Sequence, residues 1–323
     1  MEFGLQLGSL EFAAYRDAAQ TAEGLGYHLI TFPDHIVHER LGGQYDENAL
    51  AYDPITIAAV VCEATKSIQV GHLVLCNLFR HPAITAQSLA SLDRLSGGRA
   101  FAGLGTGWTE TEFRMTGIPF PDIATRLAML DEALSCMRSL WQNERTTFEG
   151  RFYRFRDAIL MPKPQHRLPI LLGGGGRGLL RLAAKHADVI NIIADVGRAG
   201  RISLEEVTRL TDEAFRKKIR FVREEARAHG RNPDDIRVSN AIFNLMLTDS
   251  PAAAREAAAS AAPMFGTTPE AFLRSPLALI GTPEECVHEL KRRAREWGVS
   301  QFVFSGGVES VLERLWREVL VHV

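Results

Sequence analysis

The sequence predicts an α/β fold of the (β/α)8 TIM-barrel type, and two observations support that prediction. Short apolar runs alternate with amphipathic helical patterns along the whole 323-residue chain, and eight such pairs can be counted. The strands are continuous apolar runs, which is typical of a parallel sheet buried on both faces. Eight repeats close naturally into a barrel, whereas a doubly wound sheet usually needs fewer. We therefore expect one domain over residues 1–323.

Each element is placed by its hydrophobic period and by the residues that begin or end it. Gly26 ends the first helix, and Pro82 begins the third at a position where its missing N–H costs nothing. The predicted strands are Glu2–Gly8, His28–His35, Ile68–Leu75, Arg99–Leu104, Leu168–Leu172, Val189–Ile193, Ile236–Leu247 and Gln301–Phe304. The predicted helices are Phe12–Leu25, Pro54–Ala64, Pro82–Leu95, Arg126–Trp141, Arg177–His186, Leu204–His229, Pro283–Trp297 and Val308–Leu320.

Three longer segments interrupt the repeat, after strands 2, 4 and 7. They cover His38–Asp53, Thr109–Ala124 and Ser250–Leu279. All three follow the carboxyl end of a strand, where barrel enzymes build their active sites. A further excursion, FEGRFYRF from Phe148, predicts a hairpin around Glu149-Gly150.

Composition excludes several function classes. The formal net charge of −2 gives no electrostatic reason to expect nucleic acid as a partner. No apolar run is long enough to span a bilayer, and the N-terminus lacks the pattern of a signal peptide. The four cysteines are scattered and form no CxxC pair, which fits reduced thiols in a cytoplasmic protein.

A run of four glycines follows the fifth predicted strand, in ILLGGGGRGLL from Ile170. Consecutive backbone N–H groups at Gly173–Gly176, beside the positive end of the next helix dipole, can bind an anion, and Arg177 adds charge there. The alternative is a tight turn that needs positive φ angles, but one glycine would suffice for that. The run therefore predicts a phosphate site. The second glycine-rich strand end, GLGTGW at Gly103–Trp108, lies on the neighbouring strand, although it lacks the rest of a dinucleotide fingerprint.

An Asp-His pair ends the second predicted strand. His35 is placed to donate a hydrogen bond or a proton to a substrate or cofactor ring, and Asp34 can fix its tautomer. With His38 these residues also suggest a metal, but one HxxH in a loop with no second cluster argues against it, and we expect none. Arg80 either binds an anion or ties its loop to a carboxylate. Trp108, Phe113 and Phe79 form an aromatic wall above the barrel in this interpretation.

Taken together, five motifs resemble the bacterial luciferase-like monooxygenase family. They are TFPDH, GHLVL…FRHP, LDRLSGGR…GLGTGW, LLGGGG and IGTPEE, and their order and spacing match the family over nearly the whole chain. Within the family the chain is most similar to the deazaflavin-dependent oxidoreductases that use coenzyme F420.

The resemblance implies a barrel that holds a flavin or deazaflavin at its carboxyl-terminal mouth. It places His35 and Asp34 at the ring, and a non-prolyl cis peptide around Leu73-Val74-Leu75 behind the ring. Gly105, Thr106 and Gly107, together with Gly173, Gly174, Gly175, Gly176 and Arg177, would bind the ribityl phosphate, and Trp108 would lie beside the cofactor. It also implies a homodimer and a small-molecule substrate.

Two departures bear on the substrate. The sugar-phosphate dehydrogenases of the family carry an acid directly after GTG, where this chain has Trp108, and a tryptophan shortly after the Asp-His pair, where it has His38 and Glu39. We therefore expect hydride transfer between reduced coenzyme F420 and a small organic acceptor such as an enone or imine. The first alternative is an FMN-dependent two-component monooxygenase supplied by a separate reductase. The second is a non-catalytic flavin-binding protein.

Overall fold

The computed structural model describes residues 1–40, 44–196, 203–305 and 309–323. Within these ranges the strands are β1 (Glu2–Gln6), β2 (Leu29–Phe32), β3 (His38–Arg40), β4 (Gln44–Asp46), β5 (Gln69–His72), β6 (Leu75–Cys76), β7 (Ala102–Gly105), β8 (Thr146–Glu149), β9 (Arg154–Ala158), β10 (Ile170–Gly173), β11 (Val189–Asn191), β12 (Arg237–Ile242), β13 (Asn244–Leu247), β14 (Ala278–Gly281) and β15 (Val299–Ser305).

The helices in the same ranges are α1 (Phe12–Leu25), α2 (Pro54–Ala64), α3 (Pro82–Ser96), α4 (Glu110–Thr116), α5 (Ile123–Gln142), α6 (Arg177–His186), α7 (Leu204–Arg209), α8 (Asp212–Ala228), α9 (Pro251–Ala261), α10 (Pro269–Leu273), α11 (Pro283–Trp297) and α12 (Glu309–Glu318). Short 3₁₀ helices cover Pro233–Asp235, Ala262–Phe265 and Leu320–His322. None of the described helices combines the length and apolar character needed to cross a bilayer.

A closed parallel sheet forms the centre of the molecule, and the predicted (β/α)8 barrel is confirmed. The strand order is β5-β2-β1-β15-β12-β11-β10-β7-β6. Its two ends, β5 and β6, are consecutive parts of one barrel strand. The nine strands therefore occupy the eight strand positions of a closed barrel. The Val70 N–H donates to the Arg99 carbonyl at 3.1 Å and the Phe101 N–H to the Val70 carbonyl at 3.2 Å across the seam.

Two hydrophobic clusters hold the barrel and its helices together. A large cluster joins the outer faces of the strands to the helices. A smaller one fills the barrel interior with residues from five staves: Leu29, Phe101, Leu171, Val189 and Val303. Leu73 and Val74 pack against this inner cluster, so the interior is filled at this level and leaves no pore.

The sequence-predicted bounds are confirmed for α1, α2, α6 and α11, which begin and end at the predicted residues. The excursion around Glu149-Gly150 is the antiparallel hairpin of β8 and β9. After β2, β3 and β4 form a second antiparallel hairpin, and residues 41–43 of this segment lie outside the described residues. So does Val308, the predicted start of the closing helix.

The single helix predicted over Leu204–His229 is wrong. The structure has α7 and α8 in its place, because the Thr211 side chain accepts a hydrogen bond from the Ala214 N–H and begins a second helix.

The single strand predicted over Ile236–Leu247 is also wrong. β12 stays in the barrel, but the chain leaves the sheet after it. The N–H groups of Phe243 and Asn244 both donate to the Leu277 carbonyl, at 3.0 and 3.1 Å. β13 then pairs with β14 in a separate two-stranded sheet.

Close contact between main chains in the barrel generates a stability prediction. A Cβ atom at Gly103 would lie 1.6 Å from the His72 carbonyl oxygen, whereas a Cβ atom at Gly24 would meet nothing within 4 Å. We expect Gly103→Ala to lower the free energy of unfolding by about 1–3 kcal/mol or more, because rigid backbone must move. The matched Gly24→Ala change in α1 should raise it by about 0.5–1 kcal/mol. Urea unfolding followed by circular dichroism measures both, and equal effects of the two changes would contradict the packing described.

Candidate active site

A cavity of about 850 Å³ lies at the carboxyl ends of the barrel strands, a volume in the range of small-molecule and cofactor sites. Every sequence-predicted site residue except Leu75 lines it. Its walls include Gln6, Asp34, His35, Leu73, Val74, Cys76, Phe79, Gly105, Thr106, Gly107, Trp108, Glu112, Phe113, Gly173, Gly174, Gly175, Gly176, Arg177 and Asn191.

His35 forms a hydrogen bond with a carboxylate that the sequence alone did not identify. Its Nδ1 lies 3.2 Å from a Glu112 carboxylate oxygen, and the same carboxylate accepts the N–H groups of Ile36 and Val37 at 2.5 and 3.3 Å. Glu112 is only 2% exposed. A carboxylate at Nδ1 fixes that nitrogen as the donor and leaves Nε2 as the nitrogen able to exchange a proton. The Trp108 ring stands edge-on to the imidazole, with 5.7 Å between centroids.

Asp34 does not orient His35, which corrects the role predicted for it. Its carboxylate accepts two hydrogen bonds from Arg80, at 2.6 and 3.1 Å, and one from the Cys76 N–H at 2.8 Å. Arg80 also bridges to Asp53 at 2.6 Å, so it ties loops together and holds no free anion. Burial disfavours the Arg80 charge, but the two carboxylates raise its pKa above the ordinary value, which keeps the guanidinium charged.

The predicted non-prolyl cis peptide is confirmed between Leu73 and Val74. Both side chains line the cavity floor. Leu75 does not: it is 1% exposed and belongs to the hydrophobic cluster between the strands and the helices. Its predicted contact with a cofactor is therefore corrected to a structural role.

The glycines are required first by the protein's own packing. A Cβ atom at Gly175 would lie 2.2 Å from the Ile193 carbonyl oxygen, and one at Gly174 would lie 2.1 Å from a Leu179 methyl carbon. Gly174 alone of the four has a positive φ, of 154°. The run is thus required partly by contacts within the protein, whereas the sequence attributed the four adjacent glycines to the close approach of a ligand.

The glycine loop nevertheless presents main chain to the cavity. Helix α6 begins at Arg177, and its N-cap residue Gly176 has no side chain to cap it. In the described part of the chain, the Gly174 N–H donates to the Asn191 carbonyl at 3.0 Å, while no acceptor is found for the N–H groups of Gly175 and Gly176. A helix start with open N–H groups favours an anion there.

Two cations lie beside this helix start. The Arg177 guanidinium stacks on the Phe221 ring at 4.2 Å. Lys218 donates through Nζ to the Gly175 carbonyl at 2.5 Å, and burial lowers its pKa. Both place positive charge next to the open N–H groups, although the Asp195 carboxylate also lies there, 3.0 Å from the position of a Cβ atom at Gly176.

The aromatic wall predicted from the sequence lines the cavity as Trp108, Phe79 and Phe113. Phe113 is 2% exposed and contacts Phe79, with ring centroids 5.1 Å apart. The wall lies next to the His35–Glu112 pair, because Glu112 and Phe113 are consecutive in α4.

No group of three or more metal-ligating side chains occurs among the described residues. Burial, followed by the nearby charge of His35, lowers the pKa of His38. Its Nε2 donates to the Leu50 carbonyl at 3.1 Å.

A family model described as luciferase-like monooxygenase matches residues 2–301. The chain belongs to that family. An F420-dependent glucose-6-phosphate dehydrogenase of Microbacterium testaceum is 28% identical over 330 residues, covering 99% of this chain and 88% of the relative. The corresponding protein of Kineococcus radiotolerans is 33% identical over 191 residues, or 58% of this chain. In three such relatives the matched part covers 53%, 55% and 58% of their own length, so the chain spans a little over half of these proteins.

Three solved structures of F420-dependent enzymes and a monooxygenase have the same fold as this chain. An F420-dependent secondary alcohol dehydrogenase, in complex with an F420–acetone adduct, is 22% identical with a TM-score of 0.80, covering 100% of this chain and 98% of that one. The coenzyme F420-dependent tetrahydromethanopterin reductase from Methanopyrus kandleri is 20% identical with a TM-score of 0.75, covering 99% of each chain. An EDTA monooxygenase from Chelativorans is 16% identical with a TM-score of 0.77, covering 99% of this chain and 92% of that one.

The ion pair between Asp34 and Arg80 generates a second prediction. We expect Asp34→Asn to lower the free energy of unfolding by about 3–5 kcal/mol, because it leaves the half-buried Arg80 without its inner partner. Asp53→Asn removes the partner on the exposed side of the same arginine, and it should lower the free energy of unfolding by clearly less. Urea unfolding of the two variants measures both effects. A larger loss of stability for Asp53→Asn than for Asp34→Asn would show that Asp34 is not the more important partner of Arg80.

Proposed function

We propose that this chain is an oxidoreductase that binds coenzyme F420 in the barrel cavity and transfers a hydride between the coenzyme and a small organic molecule. One observation carries the proposal: the open start of α6 and the His35–Glu112 pair face the same cavity. An anion-binding corner and a proton-exchanging group in one space suit a phosphorylated redox ring and its substrate. The deazaflavin relatives support the choice of coenzyme.

In this proposal the residues present fit the coenzyme. The N–H groups of Gly175 and Gly176, with Arg177, hold the ribityl phosphate, and the Gly105–Gly107 loop forms the neighbouring side of the groove. Leu73 and Val74 form the apolar floor under the ring. When bound, the deazaflavin supplies or accepts the hydride.

His35 is the proposed catalytic residue. Its Nε2 exchanges a proton with the substrate, and Glu112 holds the imidazole in the required tautomer and stabilises its protonated form. Glu112 is therefore a positioning residue. Asp34, which the sequence suggested for this task, supports the loop through Arg80.

The aromatic wall supports an uncharged, planar substrate such as an enone or imine. The curated relatives are named for glucose 6-phosphate, whereas in this chain Trp108 stands where those enzymes carry an acid. Activity with a conjugated ketone and none with a sugar phosphate is the expected outcome.

The FMN-dependent monooxygenase remains the second candidate, since the EDTA monooxygenase has the same fold. FMN presents the same phosphate and a ring of the same shape. Oxygen consumption with a flavin reductase and FMN, but not with reduced deazaflavin, would favour it.

A homodimer, a cytoplasmic location and a separate reductase partner also stay predictions. Sedimentation analysis tests the homodimer.

The phosphate assignment generates a third prediction. Coenzyme F420 should bind at least about tenfold more tightly than the same ring with its ribityl chain but no phosphate, because charge-assisted hydrogen bonds are worth about 1.5–3 kcal/mol. Arg177→Met should reduce the ratio of the two dissociation constants. Arg181→Met is the matched control, since Arg181 lies over the same Phe221 ring at 5.9 Å but does not line the cavity.

Spectral titration gives both affinities. Equal affinity for the two ligands would show that the phosphate lies elsewhere. Failure of both coenzyme F420 and FMN to bind more tightly than millimolar would reject the proposed function.

The proton-transfer assignment generates a fourth prediction. His35→Ala should lower kcat by about 10²–10⁴-fold while leaving coenzyme affinity nearly unchanged, and Glu112→Gln should lower kcat less. His288→Ala, at an exposed position of α11, is the control. Steady-state kinetics beside equilibrium titration separates the cases: coenzyme binding without turnover in the wild-type protein, with only affinity changed by His35→Ala, would favour a non-catalytic flavin-binding protein.

A further inference from the structure

Two cationic side chains bind the main chain of the glycine loops from outside the cavity. Arg126, in α5, donates through its guanidinium to the Gly107 carbonyl at 2.6 Å. Lys218, in α8, donates through Nζ to the Gly175 carbonyl at 2.5 Å. Neither cationic side chain lines the cavity, whereas both glycines do. The two loops follow β7 and β10, which pair with each other in the barrel, so the two bonds flank one groove.

Arg126 is a buried cation that has no ion pair with a carboxylate in the described part of the chain. It is 2% exposed, and its guanidinium lies over the Phe120 ring, 4.0 Å from the ring centroid. Burial lowers its pKa, but an arginine keeps its charge in proteins. A buried charge costs stability when it is not paired. The Gly107 carbonyl is the hydrogen-bond acceptor that the structure provides for this charge.

Lys218 is half-buried and makes the same kind of bond. Burial has the largest influence on its pKa and lowers it, while the charges of Asp195 and Glu206 act in the opposite direction. Glu206 itself pairs with Arg209 at 3.0 Å. The lysine is therefore held at the loop by a main-chain carbonyl, as Arg126 is.

The geometry of the peptide unit connects these carbonyls with two N–H groups. A carbonyl and the N–H of the next residue belong to one planar unit, and in the trans form they point in opposite directions. Neither unit is among the cis peptide bonds of the described chain. Because the cations fix the carbonyls of Gly107 and Gly175, they also fix the N–H groups of Trp108 and Gly176, which point away from the cations.

The two N–H groups are available to a ligand. Trp108 and Gly176 both line the cavity, and within the described ranges no acceptor is found for the N–H of either residue. A cation bonded to the carbonyl also polarises the peptide unit and makes its N–H a stronger donor. The same contact thus orients the N–H group and strengthens it.

We propose that Arg126 and Lys218 are positioning residues that bind the coenzyme phosphate through the main chain. Each holds one loop carbonyl from outside, and the N–H of the same peptide unit is thereby held toward the cavity. The inference rests on the proposed function and adds two residues that lie outside the cavity. Their positive charge favours the phosphate without placing a side chain in the groove, where close packing requires bare main chain.

The test uses the ratio of two dissociation constants, that of the phosphate-free ring with its ribityl chain divided by that of coenzyme F420. Spectral titration measures both. Arg126→Met and Lys218→Met should each lower the ratio by about three- to tenfold, the cost of ordering on binding a group that was held in place before. Arg126→Lys and Lys218→Arg keep a cationic donor and should retain most of the wild-type ratio. The melting temperature without ligand reports folding.

Two control variants separate main-chain positioning from other effects. Arg231 binds carbonyls at the opposite end of α6, those of Ala184 at 3.0 Å and Ala187 at 2.8 Å. Lys217 is the exposed neighbour of Lys218 in α8. Arg231→Met removes the same type of bond elsewhere, and Lys217→Met removes the same charge from the same helix. Both should leave the ratio of dissociation constants unchanged.

A spectroscopic measurement reports on one of the peptide units directly. The chain has four tryptophans, so labelling with nitrogen-15 tryptophan gives few main-chain amide signals, and Trp108→Phe assigns the relevant one. In the wild-type protein this signal should move further downfield with coenzyme F420 than with the phosphate-free ring, because the phosphate accepts its proton. In Arg126→Met the difference between the two ligands should be smaller.

The outcomes separate the inference from the function on which it rests. The inference is wrong, while the proposed function stands, if the coenzyme binds but both methionine variants of the cations keep the wild-type ratio. It is also wrong if the controls lower the ratio equally, or if the Trp108 amide responds equally to the two ligands. If the wild-type protein binds neither ligand, both are wrong. The two cations lie in different helices and the wild-type amide signal is decisive by itself, so one unfolded variant does not prevent a decision.

Discussion

The structure of the site depends on where one side chain, Val74, is packed. Its methyl carbons lie 2.6 Å from the position of a Cβ atom at Gly105 and 2.8 Å from that at Gly173, on β7 and β10, the two staves next along the barrel from β6. Any side chain on either strand end would displace it from the cavity floor. The packing of one valine on the inner cluster therefore requires bare main chain at two neighbouring strand ends.

That requirement explains how steric packing and ligand binding come to share the same glycines. Gly173 and Gly174 bring the chain close to its neighbours, and Gly175 lies against the Ile193 carbonyl oxygen. Helix α6 then begins without a capping side chain. The N–H groups at its start then face the cavity. A surface without side chains is thus first a consequence of close packing, and it presents open N–H groups, which favour an anion, because a helix starts there.

Much of the fold was predictable because its signals are local. Proline at the start of α2 and α11 and glycine at the ends of α1 and α11 fix those bounds from residues that are neighbours in sequence. The elements predicted wrongly depend on distant partners. β13 leaves the barrel because it pairs with β14, more than thirty residues later. The sequence did not indicate Glu112 because it lies 77 residues from His35. The weak signal that Glu112 is buried is the hydrophobic Phe113 directly after it in a short helix.

The dependence on partners that are distant in sequence also explains why the role predicted for Asp34 is wrong. Adjacent residues in an extended strand end direct their side chains differently, so Asp34 turns toward Arg80 while His35 turns toward Glu112. Each of the two groups thereby gains its own buried partner: an arginine for the carboxylate that holds the loops and a carboxylate for the imidazole. Sequence adjacency suggested one dyad, whereas the structure has two pairs with separate functions.

Another wall of the cavity is built by other means. Phe243, Phe265 and Leu277 line the cavity, and their position depends on the β13–β14 pair and on Arg293, which donates to the carbonyls of Pro276 and Ala278. None of these contacts involves the glycine loops or the floor. The segment that shapes the far side of the cavity can therefore change in sequence without disturbing Val74 or the start of α6.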